Sequence, residues 1–131
     1  MSNFNKAEYW FDGVEYDLQT ARAMLETRRF LYVGFMCHQA VEKALKGCFV
    51  TRKPDEELPY IHRLVRLANL SELSSEMGGE QLDFLDELSP LNVGTRYPEE
   101  KERLLQSLTP SYCRELLSKT EELCRWIRKK C

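Results

Sequence analysis

The sequence predicts an all-α fold, an antiparallel up-and-down bundle of four main helices with short accessory helices. Three observations carry that prediction. Apolar residues recur at three- and four-residue spacing along several stretches of helix length. No stretch alternates with period two, and none is rich in β-branched residues between turn signals. The connections between periodic stretches are short, which favours antiparallel neighbours. At 131 residues the chain has the size of one domain, spanning 1–131, with room for a sizeable core.

The first helix is predicted from about Lys6 to Glu26 by Trp10, Val14, Leu18, Ala21 and Leu25. Its other face, with Asp12, Glu15, Asp17, Gln19 and Arg22, reads as a solvated side. Arg28 and Arg29 follow at its C-terminal end, where cations complement the helix dipole. The second helix starts near Arg29 or Phe30 and runs to about Thr51, forming a hairpin with the first. After it, Pro54 and Pro59 push their neighbours out of helical geometry, so this charged segment is a loop. A short third helix is predicted over Ile61 to about Asn69, with His62 as a helix-start or packing residue. The serines and paired glycines of S-E-L-S-S-E-M-G-G-E mark a turn region. The period resumes with Leu82, Leu85 and Leu88 in a fourth helix over about Glu80 to Ser89, followed by an irregular stretch that ends at Pro98. The segment E-E-K-E-R-L-L-Q-S-L is helix-capable but short. Thr109 and Pro110 then give a capping side chain and a proline at the first helical position. Cys113, Leu116, Leu117, Thr120, Leu123, Cys124 and Ile127 mark the closing helix to about Lys129.

The totals exclude several classes. A net charge of −2 gives no overall basic footprint for long nucleic acid. No apolar run approaches the roughly 20 residues of a membrane span, and the first residues carry no signal segment, so a cytoplasmic protein without membrane contact is expected. The five cysteines, at 37, 48, 113, 124 and 131, are odd in number and show no metal-ligand spacing. Reduced thiols are expected, with no metal and no cofactor. No Gly-rich phosphate loop, hydrolase triad or metal-binding carboxylate set is present.

The stretch Tyr32 to Lys46 organises the rest. At 3.6 residues per turn, His38, Gln39, Glu42, Lys43 and Lys46 fall within an arc of roughly 140°. Val33, Cys37, Ala40, Val41, Ala44, Leu45 and Cys48 fill the opposite side, and so wide an apolar arc predicts a central helix. Tyr32 and Phe35 project into the polar sector one turn earlier. Two readings of the stripe stand together. In one, His38, Gln39, Lys43 and Lys46 present donors to a phosphate, an aromatic ring stacks on a base, and Arg96 approaches from the irregular segment. In the other, Glu42 and Lys46 form an i to i+4 ion pair while the remaining polar groups bond neighbouring helices or a dimer mate.

Four motifs, in order, carry a family resemblance: Trp10 with Asp17 and Leu18, H-Q-A-V-E-K-A-L-K from His38 to Lys46, Tyr60-Ile61-His62, and Arg96-Tyr97-Pro98. Together they resemble the HEPN domain, the nucleotide-binding domain of higher eukaryotes and prokaryotes, over about Ala7 to Pro98. The resemblance implies an all-α bundle that forms homodimers. It also implies pairing with a small nucleotidyltransferase in a two-component or toxin-antitoxin system. In a large subset it implies metal-independent RNase activity, from an arginine followed four to six residues later by a histidine.

This sequence departs from that RNase pattern. His38 and His62 are its only histidines, both lie upstream of Arg96, and neither follows an arginine at that spacing. Without an imidazole beside Arg96 there is no evident general base there. The expectation is therefore a nucleotide- or partner-binding module, not an enzyme, acting as partner subunit of a small nucleotidyltransferase. Its candidate residues are His38, Gln39, Glu42, Lys43, Lys46, Arg96 and Tyr97, and its ligand is a nucleotide or RNA. An RNase of atypical site and a purely structural dimerising bundle remain the alternatives.

Overall fold

The computed structural model describes residues 5–92 and 97–131, and among these the regular elements are all helical. The order is α1 (Lys6–Glu26), α2 (Phe30–Arg52), α3 (Leu64–Leu70), α4 (Gly79–Leu88), α5 (Pro98–Ser107) and α6 (Pro110–Lys130). Short 3-10 turns lie at Ser74–Glu76 and Ser89–Asn92.

Each long helix has a local reason to begin or end where it does. At the start of α1 the Asn5 side chain accepts from the Glu8 N–H at 3.2 Å, and at the start of α6 Thr109 accepts from Tyr112 N–H at 3.2 Å, with Pro110 next. Between α1 and α2, Arg28 takes a left-handed φ of 62°, and the Arg29 N–H returns to the Met24 carbonyl at 2.7 Å. Left-handed backbone closing a helix in this way lets the chain reverse within a few residues, which sets α1 against α2 as a hairpin.

Helix α2 is the axis. It packs against α1 and α6, while α3, α4, α5 and the Ser89–Asn92 turn close the remaining sides. Its predicted apolar set, from Val33 to Cys48, is fully buried, and the set predicted for α6 is buried throughout. Gly47 is required by this packing. A Cβ there would come within 2.8 Å of the Phe11 ring, so only hydrogen lets α1 lie this close.

Several expectations are corrected. Phe11 takes the core position on α1, and Trp10 stands half-buried at its edge. Asp17, read as solvated, is 3% exposed. Helix α3 begins at Leu64 instead of Ile61, because Arg63 is extended and His62 is drawn onto α2. Helix α4 keeps close to its expected bounds at 10 residues, and α3 and the 3-10 turns share the fourth wall of the bundle with it. The segment after Tyr97, read as helix-capable, is indeed helical, with Pro98 in its first turn and Glu99 and Glu100 favouring the N-terminal end.

The cysteines also differ from expectation. Cys37, Cys113 and Cys124 are free and buried, but Cys48 and Cys131 form a disulfide. Helix α6 lies parallel to α2, with Cys113 beside Phe30 at one end and Arg52 bonded to the Lys130 carbonyl at the other, and this brings the two Cα atoms to 5.2 Å although 83 positions separate them in sequence. Burial pushes the Cys37 thiol up to about 12, so it behaves as a small apolar group. Among the described residues, no helix is long and apolar enough to cross a membrane.

Candidate functional site

The α2 stripe folds as a polar layer between α2 and its neighbours. Its centre is Glu42, 4% exposed. Glu42 Oε2 accepts from Lys46 Nζ at 2.9 Å and lies 3.0 Å from Nδ1 of His62. On the other side His38 Nδ1 stands 3.7 Å from Glu42 Oε1, too far for a hydrogen bond. The Lys46 ammonium also sits over the Trp10 ring, 5.4 Å from its centroid. One turn away, Lys43 Nζ donates to the buried carboxylate of Asp17 on α1 at 2.6 Å. Gln39 Nε2 donates to Asn92 Oδ1 at 3.1 Å, linking α2 to the 3-10 turn.

These contacts determine the electrostatics. Each lysine of the stripe has a carboxylate partner, so the layer is close to neutral and is not a bare basic patch. Burial holds the His38 imidazole down at about 4, against an ordinary 6.5, with the Glu42 charge only partly opposing the shift. His38 is therefore neutral near pH 7. His38 Nδ1 and Glu42 Oε1 are also buried without a hydrogen-bond partner among the described residues. Buried polar atoms are almost always bonded, so two adjacent orphans mark a place able to take a polar contact.

The structure brings His38, Glu42 and Lys46 together and sets Gln39 and Lys43 on neighbouring partners. Tyr97 is 63% exposed just ahead of α5. Arg96 lies outside the described residues. Sequence reasoning named Asp17 in a family motif but read it as solvated, and it missed Asn92 and the part played by His62. Asp17 stands two turns from Trp10 on α1, a spacing that puts both on one face, and that was the available signal. Among the described residues, no group of three or more His, Cys, Asp or Glu side chains is placed to hold a metal ion.

Fold and site define a class: an all-α bundle built around a central helix that carries a buried, charge-paired polar layer. A HEPN-domain profile matches residues 7–130, and the chain belongs to the HEPN domain family. Membership supports a nucleotide- or RNA-related module. The fold is also that of the protein TT1696 from Thermus thermophilus, known from a crystal structure. The TM-score is 0.82 at 19% identity, covering 98% of this chain and 100% of that one. No curated protein matches the sequence.

Proposed function

We propose that this HEPN chain is a nucleotide- or partner-binding module, the partner subunit of a small nucleotidyltransferase in a toxin-antitoxin-like pair, and that it works as a homodimer. The observation that carries the reading is the unsatisfied pair His38 Nδ1 and Glu42 Oε1 within an otherwise paired polar layer. Gln39, Lys43, Lys46, Arg96 and Tyr97 complete the candidate set. Because Lys43 neutralises buried Asp17, removing it would disturb the fold, so Arg96→Ala and Tyr97→Ala are the better probes. Nucleotide titration by calorimetry should show binding that both variants weaken. A tagged pull-down from the native host should also return a nucleotidyltransferase. Unchanged affinity in both variants defeats the site, and a pull-down that returns the protein alone defeats the partner.

One observation favours a second reading, an RNase of atypical site. His62 keeps its side chain 68% exposed while its Nδ1 is held by buried Glu42, the way a carboxylate orients a catalytic imidazole. Cleavage of single-stranded RNA that persists with a chelator and is lost in His62→Ala would establish it. Intact RNA with folded dimer would end it.

A further inference from the structure

We infer that the cleft between the start of α1 and the proline-rich loop is a nucleobase site, taking a flat heteroaromatic ring with an exocyclic amino group. The inference rests on the nucleotide-related reading above and adds a site that the α2 stripe does not contain. The cleft holds about 320 Å³, at the lower end of the roughly 300–1,000 Å³ usual for small-molecule sites. Its walls are Tyr9 and Trp10 of α1, Val50 of α2, and Pro54 and Leu58 of the loop. The two aromatic rings meet at 80° with centroids 5.5 Å apart, which makes a platform and an upright wall for a planar ligand.

Trp10 also touches the polar layer. Its ring carries the Lys46 ammonium, which Glu42 fixes in turn, so a stacking surface is in place before any ligand arrives. Tyr9 stays 60% exposed beside it, at the mouth of the cleft. Two prolines limit the freedom of the loop and so lower the ordering cost of binding.

The rim decides which part of a nucleotide enters. It carries Glu56 and Glu57 with Lys6, and Lys53 pairs with Glu56 at 3.6 Å, so the rim has no surplus of positive charge for a phosphate. An amino-bearing base does gain, because a carboxylate accepts from an exocyclic N–H. Adenine, cytosine and guanine meet that requirement, and uracil lacks the amino group. The base can belong to a free nucleotide or to a single-stranded RNA.

Trp10 is itself the reporter. The chain has two tryptophans, so Trp126→Phe leaves one signal. Where that variant loses its helical circular dichroism, the Trp10 indole N–H resonance of the unaltered chain is followed instead. The titrants are AMP, CMP, GMP, UMP and a mixed-sequence RNA hexamer. The expected result is saturable quenching by the amino-bearing nucleotides, weaker with UMP, and about tenfold weaker binding in Tyr9→Ala with helicity unchanged. The uracil discrimination should shrink when Glu56 and Glu57 are both changed to Gln. Tighter quenching by the hexamer identifies RNA as the source, and equal affinity identifies the free nucleotide. A Trp10 that acrylamide quenches but no nucleotide or RNA does, or quenching indifferent to Tyr9→Ala, overturns the site. Calorimetric binding that Arg96→Ala abolishes while Trp10 stays silent would remove this inference and leave the proposed function standing.

Discussion

Asp17 and Glu42 are both buried carboxylates that take a lysine from α2, and they are put to different uses. Asp17 reaches across from α1 and makes one short bond to Lys43, whose side chain is still 31% exposed. That bond fastens two helices in register and leaves nothing unpaired. Glu42 sits on α2 itself and gathers His38, Lys46 and His62, with a 10% exposed Lys46 that has no easy route to water. One of its oxygens is still without a hydrogen-bond partner among the described residues. A carboxylate that only stabilised the fold would resemble Asp17; Glu42 instead arranges several groups around an unsatisfied point.

The largest test of this difference is removal of each acid. Glu42→Ala should cost about 3–5 kcal/mol, because it strands a buried ammonium. Asp17→Ala should cost less, about 1.5–3 kcal/mol, since Lys43 can swing into solvent once its charged hydrogen bond is gone. Urea denaturation of both variants measures the gap. Equal losses would mean that Glu42 is no more than a second helix clamp.

Acid should act on the Glu42 side through His38. The folded chain binds a proton at His38 only near pH 4, whereas the unfolded chain does so near 6.5. Below 6.5 the unfolded state therefore holds more protons. The stability from a neutral His38 is complete above that pH and is lost as the pH falls toward 4, by up to about 3 kcal/mol. Comparing urea midpoints at pH 7 and pH 4.5 should show most of this loss disappearing in His38→Gln and persisting in Asp17→Ala. A pH dependence unchanged by His38→Gln would place the acid sensitivity elsewhere.

Much of the fold was legible because it is local. The apolar positions of α2 and α6 follow one helical period, and burial follows the same period. The features that escaped depend on partners distant in sequence. Asp17 borders the apolar arc of α1, and only Lys43, 26 positions on, decides that it is buried. His62 lies in extended chain with no period to expose its direction, and 20 positions separate it from Glu42. Cys48 and Cys131 each look like ordinary cysteines until α6 is laid on α2. Of the stripe, the Glu42 to Lys46 pair was readable because its spacing is within one helix. That the stripe is buried was not, because burial depends on what α1 and the segment before α3 place over it.

The smallest expected effect is the most discriminating for the Glu42 side. His62 touches the same oxygen as Lys46, yet its side chain is 68% exposed. Solvent can replace most of what it contributes, so His62→Ala should change stability by less than about 1 kcal/mol. The loop from Pro54 to Arg63 should keep its place through Ile61, which packs on the core. Hydrogen exchange across residues 53–63, measured beside the urea midpoint, separates the alternatives. Unchanged midpoint and protection would leave His62 an imidazole positioned by Glu42 without serving the fold, as a functional group would be. A loss as large as that of Asp17→Ala, with the loop newly exposed, would make His62 a fastener of the loop and would place Glu42 with Asp17 as a structural acid.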